Sequence, residues 1–161
     1  MRKQLSLTVL PAGLVALMAL AGCGGSSSAS TNSSSSSTTA SGASTIDVAK
    51  NAQLGQILTD SNGNTLYMFA KDTNGKSECT GSCASVWPPV TTSGQPKAGN
   101  GVVASKLGTT IRSDGSTQVT YAGHPLYFYA QEGRYQVTCH DVTEYGGTWL
   151  VVRPNGRPAP G

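Results

Sequence analysis

LYMFAKD at residues 66–72 and LYFYAQE at residues 126–132 are two versions of one heptapeptide, 60 residues apart. Each follows a glycine turn, at Gly63 and at Gly123. Each places two aromatic side chains two residues apart, the period at which strand side chains share a face. The repetition predicts two related β-rich halves. The shared aromatic and acidic positions are Tyr67, Phe69 and Asp72 in the first copy, and Tyr127, Tyr129 and Glu132 in the second.

The rest of the folded region supports a mostly β fold, because no long apolar segment has the 3.6-residue period of a helix. Asn62-Gly63 and Asp114-Gly115 are hairpin signals between apolar runs. We predict a helical turn at 82–86, a strand at 125–130 and a closing strand at 148–152. Two repeats are too few for an open solenoid. We therefore expect a small single domain made of two pseudo-symmetric halves of hairpins or meanders around one core.

The first 22 residues have the form of a secretion signal, with Arg2 and Lys3 before an apolar run at 5–20. The run ends in LAGC at 20–23, which resembles the lipobox of bacterial lipoproteins. That resemblance implies that Cys23 receives a diacylglycerol and becomes the first mature residue. Two or more acyl chains hold a protein stably on a bilayer. We expect a lipid-anchored protein of the cell membrane or outer membrane, facing the periplasm or the exterior.

The remaining organisation follows from composition. Residues 23–45 form the lipidated cysteine and a tether, because 15 of the 22 residues in 24–45 are Ser or Thr. Such a segment cannot bury enough apolar surface to fold, so we predict disorder. All ten aromatic residues lie between Tyr67 and Trp149. We place the folded domain at 46–157 and a loose tail at 158–161.

Net charge limits the partners of the protein. Without Arg2 and Lys3, nine of the 11 basic residues remain against eight acidic ones, a net charge of about +1. This balance argues against a basic face for nucleic acid. The expected partners are the membrane, through the anchor, and an envelope protein or cell-wall component. The compartment is oxidising and permits disulfides.

With Cys23 lipidated, Cys79, Cys83 and Cys139 remain. In the chain-entropy model, Cys79–Cys83 closes a small ring worth about 2 kcal/mol, and Cys79–Cys139 a long loop worth about 4 kcal/mol. The residues alone leave both pairings open. The three thiols and His140 are also a conceivable zinc or copper set. However, adjacent residues such as Cys139 and His140 rarely ligate one ion. A free Cys139 could instead be a redox nucleophile or pair with another chain.

Several strings resemble a bacterial family described as a secreted lipoprotein repeat of unknown function. They are GKSECTGSCASVWPP at 75–89, EYGGTW at 144–149, and the Tyr-x-aromatic-x-x-Asp motif of residues 67–72. The resemblance covers nearly all of 53–153. It implies a Cys79–Cys83 bridge within one repeat. The chain departs from the family pattern at Glu132, where Asp is usual, and at Cys139-His140, where Gly and a polar residue are expected.

Two interpretations compete at the repeated motif. The four aromatic side chains Tyr67, Phe69, Tyr127 and Tyr129 could form a face for a flat ligand or could be the core of a small β domain. Asp72 and Glu132 could be an acid–base pair or could cap turns. We favour a non-enzymatic binding or interaction role, with no cofactor and an unknown ligand. The alternatives are a redox, metal- or haem-linked accessory using Cys79, Cys83, Cys139 and His140, and an envelope hydrolase using Asp72 and Glu132.

Overall fold

A computed structural model of the protein describes residues 42–161. The predicted signal peptide, Cys23 and most of the tether lie outside the described residues. The strands pair in three small sheets, in the orders β2-β1-β4, β3-β9-β8 and β5-β6-β7. The mostly β fold class is confirmed. The elements are β1 (Thr45–Asn51), β2 (Gly55–Asp60), β3 (Tyr67–Phe69), α1 (Ser82–Val86), β4 (Lys97–Ala98), a 3₁₀ turn (Ala104–Lys106), β5 (Leu107–Ile111), β6 (Thr117–Tyr121), β7 (His124–Pro125), β8 (Val142–Glu144) and β9 (Gly147–Val151).

One of the two predicted hairpins forms as a regular ladder, at Asp114-Gly115. At Asn62-Gly63 an isolated Thr59–Thr65 bridge forms, but β2 pairs with β1 and β3 pairs with β9. β5 and β6 pair from Leu107–Tyr121 to Ile111–Thr117 around the Asp114-Gly115 turn. Asp114 accepts a hydrogen bond from the Ser116 N–H at 2.9 Å, and Gly115 supplies the positive φ of +82°. α1 is the predicted helical turn at 82–86. Strands β1, β4 and β8 were not predicted. β4 and β8 have two and three residues, too few for a periodic signal, and in the seven residues of β1 the alternation of large apolar side chains is limited to Ile46 and Val48.

Strand β3 is buried on both faces. Tyr67 and Phe69 belong to one core cluster, while Leu66 and Met68 belong to a second, more aliphatic one. The alternation predicted from the sequence is therefore confirmed. Neither face of this strand is free to meet solvent, since all four side chains are at most 6% exposed.

The two halves exchange partners across an approximate twofold relation. The backbones of Tyr67 and Tyr127 bond to each other through both of their N–H and C=O groups, each at 2.9 Å. Val152 of the second half donates to the Leu66 carbonyl at 3.1 Å, and Val90 of the first half donates to the Leu126 carbonyl at 2.9 Å. Each tryptophan segment thus ends in the other half, and the halves share one core.

Two predictions about chain segments were wrong. The strand expected at 125–130 is limited to β7 and two isolated bridges of Tyr127, to Tyr67 and to Pro89. The Phe128 N–H bonds to the Pro88 carbonyl and the Ala130 N–H to the carbonyl of Val86, the last residue of α1, so no regular ladder forms. The tail expected to be loose is docked, because the Ala159 N–H donates to the Val151 carbonyl and Ala159 is 4% exposed.

The first strand, β1, begins at Thr45. Ser44 donates a hydrogen bond from its hydroxyl to the Thr91 carbonyl at 2.6 Å, so the last tether residues already contact the fold. Within residues 42–161, no helix combines the length and apolar character that crossing a bilayer would require.

Candidate functional site

Four aromatic rings pack in a row through the shared core in the order Phe69, Trp149, Trp87 and Tyr129. The first three are nearly parallel, and Tyr129 is tilted by 39° against Trp87. We call the four rings the aromatic stack. Centroid distances are 4.1 Å for Phe69–Trp149, 4.0 Å for Trp149–Trp87 and 4.8 Å for Trp87–Tyr129. The two indoles are nearly parallel, at 3°. Phe69 and Tyr129 are equivalent positions of the two repeats, as are Trp87 and Trp149, so the stack follows the approximate twofold relation.

The first tyrosine of each repeat packs its edge against a tryptophan and donates its hydroxyl to the acid of the other repeat. Tyr67 donates to Glu132, with oxygen–oxygen distances of 2.8 and 2.9 Å. Tyr127 donates to Asp72 at 2.7 Å. The sequence offers no signal for this exchange, because the motif looks self-contained within each repeat.

Each carboxylate also accepts a backbone N–H six residues further along the chain. Asp72 accepts from Glu78 at 2.8 Å, and Glu132 accepts from Thr138. The two acids therefore order the loops that follow them. These contacts are of the kind that the turn-capping interpretation describes. They belong to two separate hydrogen-bond networks rather than to one acid–base pair.

Burial changes the ionisation of these groups. Desolvation raises the pKa of Asp72 from 3.8 to about 6, against the opposing effects of the Glu78 N–H and the Tyr127 hydroxyl. Desolvation also raises the pKa of Tyr127, and burial together with the Glu132 carboxylate raises the pKa of Tyr67. Both phenols are therefore held in their protonated form as hydrogen-bond donors.

Of the four motif aromatics, only Tyr129 reaches solvent. Tyr67, Phe69 and Tyr127 are at most 1% exposed, so they belong to the core. Tyr129 is half-buried and lines a shallow cleft of about 210 Å³. The cleft combines residues of both halves: Asn64, Thr65, Phe128, Tyr129, Ala130, Glu132 and Gly133.

The two ends of the aromatic stack adjoin different segments of the two repeats. On the Phe69 side, the β8–β9 hairpin covers the ring so closely that a Cβ on Gly147 would lie 2.6 Å from Phe69 Cε2. On the Tyr129 side, the corresponding segment is α1, and Ala130 bonds to the Val86 carbonyl at 2.9 Å. Tyr129 is half-buried, whereas Phe69 is 1% exposed.

The cysteines are divided between a bridge and a thiol. Cys79 and Cys83 form a disulfide with Cα atoms 5.3 Å apart, as the family resemblance implied. Cys139, the counterpart of Cys79, has no disulfide partner among the described residues and is half-buried. Interaction with the Cys139 thiol raises the pKa of Tyr129.

The cysteine–histidine metal set is not assembled. The Cys79–Cys83 disulfide removes two of the three thiols from the set. His140 accepts the Val151 N–H at Nδ1, at 3.2 Å, and its Nε2 lies 3.0 Å from the Pro160 carbonyl oxygen. In the part of the chain that the structure describes, no three His, Cys, Asp or Glu side chains converge on a metal position.

Sequence reasoning missed two polar residues that organise this region. Arg112 is 6% exposed and donates to Ser77 Oγ, Gln118 Oε1 and the Cys79 carbonyl at 2.6 to 2.7 Å. Glu144 accepts the Trp87 Nε1–H at 3.0 Å. A single Arg or Glu in a polar stretch gives no sequence signal of such a contact.

Comparison with known proteins supports the repeat. A family profile described as a secreted repeat of unknown function matches residues 48–91 and 108–153, one match in each half. No curated protein and no solved structure matches the chain.

Proposed function

We propose a function from the premise that this chain belongs to the family of secreted repeats of unknown function. The protein is a lipid-anchored component of the bacterial envelope whose folded domain binds a ligand or partner without catalysing a reaction. The signal-like residues 1–22 and the LAGC tetrad support the anchor at Cys23. The Ser- and Thr-rich tether would then hold the domain away from the membrane surface.

The cleft beside Tyr129 is the observation that carries the binding role. The two halves share one core, and equivalent residues of the two repeats fill it. We therefore look for a binding site where the two halves differ from each other. That place is the open end of the aromatic stack, where an aromatic face adjoins polar groups of both halves. A half-exposed ring next to carboxylate and amide groups suits a ligand with one flat apolar face and several hydroxyls. We propose a sugar ring of a cell-wall glycan.

A non-catalytic role fits the two acids. Tyr67 and the Thr138 N–H occupy Glu132, while Tyr127 and the Glu78 N–H occupy Asp72. Asp72 is not among the residues that line the cleft. A hydrolase that uses both acids in one place therefore has no support in this geometry.

Saturation-transfer NMR with soluble cell-wall muropeptides and short oligosaccharides tests the cleft. We expect transfer to one glycan class, and loss of that transfer in Tyr129→Ala. Tyr145→Ala is the matched control, because Tyr145 is 41% exposed at a hairpin tip and is not among the residues that line the cleft. Equal signals from the wild type and Tyr129→Ala would reject the cleft as the binding place.

Detergent-phase partitioning and incorporation of labelled palmitate test the anchor. The wild-type protein should enter the detergent phase and carry the label, because acyl chains on Cys23 supply the membrane affinity. Cys23→Ala should remove the label and leave a processed or unprocessed protein without acyl chains. A labelled Cys23→Ala protein would contradict the proposed lipid site.

A further inference from the structure

Glu132 is the only charged residue among the seven that line the cleft beside Tyr129. Its Oε1 accepts hydrogen bonds from the Thr138 N–H and hydroxyl, and the Tyr67 hydroxyl contacts both carboxylate oxygens. Among the described residues, Oε2 has that one contact, at 2.9 Å. The two oxygens of a carboxylate offer about four acceptor sites, so Oε2 can still accept a hydrogen bond from a ligand.

Asn64 brings a second acceptor oxygen, from the first half of the domain. Asp60 accepts the Asn64 backbone N–H at 2.8 Å and the side-chain Nδ2 at 2.9 Å. Because a carboxylate only accepts hydrogen bonds, the atom that faces Asp60 has to be the amide nitrogen. The contact fixes the amide, and Asn64 Oδ1 has no hydrogen-bond partner among residues 42–161.

The other hydrogen-bond donors of the cleft are largely used within the protein. Thr65 gives its hydroxyl hydrogen to the Gln136 carbonyl at 2.6 Å, so this hydroxyl can only accept from a ligand. Five of the seven lining residues donate their backbone N–H to groups of the protein itself. They are Asn64, Phe128, Ala130, Glu132 and Gly133. The hydrogen-bonding capacity left for a ligand is therefore mostly that of acceptors.

The electrostatic character of the cleft agrees with this imbalance. The face of an aromatic ring carries negative potential and attracts a cation, and Tyr129 is the half-buried ring of the cleft. Glu132 stays close to it, because the Glu132 N–H donates to the Tyr129 carbonyl at 3.2 Å. Arg134 does not line the cleft, and its Nε donates to the Asn62 carbonyl. The lining thus has a formal charge of −1 with no cation to balance it.

We propose that the cleft selects a sugar with a protonated amine, as in a glycan whose amino sugars have lost their N-acetyl groups, and that Glu132 binds the ammonium. This inference rests on the binding role proposed above and names the ligand class of that site. An ammonium group has three N–H donors and no acceptor, which matches the acceptors left at Glu132, Asn64 and Thr65. The Tyr129 hydroxyl and the second amide hydrogen of Asn64 remain as donors for hydroxyl oxygens of the sugar.

The same lining disfavours two common substituents of cell-wall sugars. An N-acetyl group offers one N–H in place of three and adds a carbonyl oxygen that needs a donor. A sugar carboxylate adds only acceptors and repels Glu132, since like charges that lie close together destabilise a complex. The cleft should therefore rank sugars by the charge of this substituent.

Isothermal titration calorimetry of the full-length protein in a non-ionic detergent measures this ranking. The probes are the trimers of glucosamine, N-acetylglucosamine and galacturonic acid, at a pH at which the amines are protonated. We expect the glucosamine trimer to bind about fivefold more tightly than the N-acetylated trimer, as for one partly exposed ion pair. The galacturonic acid trimer should bind most weakly.

Glu132→Gln tests the residue, because the amide keeps the size and still offers an oxygen to Tyr67 and Thr138. It should weaken binding of the glucosamine trimer about fivefold and leave the Kd of the N-acetylated trimer unchanged. Asp72→Asn is the matched control, since it removes the equivalent carboxylate of the other repeat, which does not line the cleft. If Glu132→Gln does not fold, added sodium chloride should weaken only the glucosamine trimer in the wild type.

The outcomes separate this inference from the binding role on which it rests. Equal Kd values for the two amino-sugar trimers, both lost in Tyr129→Ala, would overturn the amine preference and leave the cleft as a glycan site. Equal weakening in Asp72→Asn and Glu132→Gln would reject Glu132 as the ammonium ligand. A lysine-containing stem peptide that binds as tightly as the glucosamine trimer would overturn the sugar assignment. If no oligosaccharide binds, both the ligand class and the glycan-binding role are wrong.

Discussion

Asp72 and Glu132 stabilise the fold through contacts that cross between the repeats. Each carboxylate accepts a buried tyrosine hydroxyl from the opposite repeat and a backbone N–H from its own loop. Hydrogen bonds to charged acceptors are stronger than those between neutral groups. One acid in each motif therefore fixes a core tyrosine and a surface loop together.

The raised pKa of Asp72 makes stability depend on pH. The folded value of about 6 exceeds the unfolded value of 3.8, so the folded state binds more protons between these limits. Stability should therefore fall as pH rises from about 4 to about 6. We expect a change of about 1 kcal/mol, because solvent screens a half-buried carboxyl. Urea unfolding at several pH values measures it.

Asp72→Asn should remove this dependence, because the amide does not ionise. Glu132→Gln, the same change in the second repeat, should retain it and serves as the control. A slope of unchanged size in Asp72→Asn would assign the pH dependence to another group.

The sequence predicted those elements whose signals are local. Tyr67 and Phe69 alternate with Leu66 and Met68, and that period alone indicates a strand with two faces. Asp114-Gly115 supplies its own turn chemistry. The cleft at Tyr129 could not be predicted in this way. It forms where Asn64 and Thr65 of the first half meet residues of the second half around Tyr129, and these segments are far apart in the sequence.

The β8–β9 hairpin closes the Phe69 end of the aromatic stack, and Gly147 is the position where it approaches most closely. A Cβ there would lie 2.6 Å from Phe69 Cε2 and 2.9 Å from Lys71 Cβ. Gly147→Ala should destabilise the protein by about 1–3 kcal/mol, because a buried ring stacked on Trp149 has no room to move. Thermal or urea unfolding gives the value.

A double-mutant cycle shows whether the ring is the cause. In a Phe69→Leu background, the smaller side chain leaves space, and the penalty of Gly147→Ala should shrink. An equal penalty in both backgrounds would place the strain elsewhere in the hairpin.

The Cys79–Cys83 disulfide orders α1, the segment beside the Tyr129 end of the aromatic stack. Cys79 and Cys83 join the start of α1 to the loop before it, and both are at most 5% exposed. Replacing both with Ala should lower the free energy of unfolding by about 2 kcal/mol in the chain-entropy account of a short ring. Cys139→Ala is the control and should change stability less, because that residue is half-buried and has no disulfide partner among residues 42–161. Equal losses in the two variants would contradict the structural role of the bridge.

At the scale of the whole molecule, the two repeats cannot be separated into two folded units. Strand β3 of the first half pairs with β9 of the second, and Val90 and Val152 each bond into the opposite half. Trp87 and Trp149, one from each half, stack at the centre. Two further contacts, Tyr67 with Glu132 and Tyr127 with Asp72, also cross between the halves. Cutting the chain between the repeats would expose most of the core at once.

We therefore expect residues 42–161 to unfold in one cooperative transition, and fragments 42–103 and 104–161 to be unfolded when expressed alone. Near-ultraviolet circular dichroism follows the packed indole pair, so each fragment should lack the signal that the whole domain shows. Mixing the fragments should restore that signal, because the exchanged Val90 and Val152 contacts need no covalent link between the halves. Cooperative unfolding of either fragment alone would show that one repeat has a sufficient core of its own, and the exchange would then be an addition to two stable units rather than the basis of the fold.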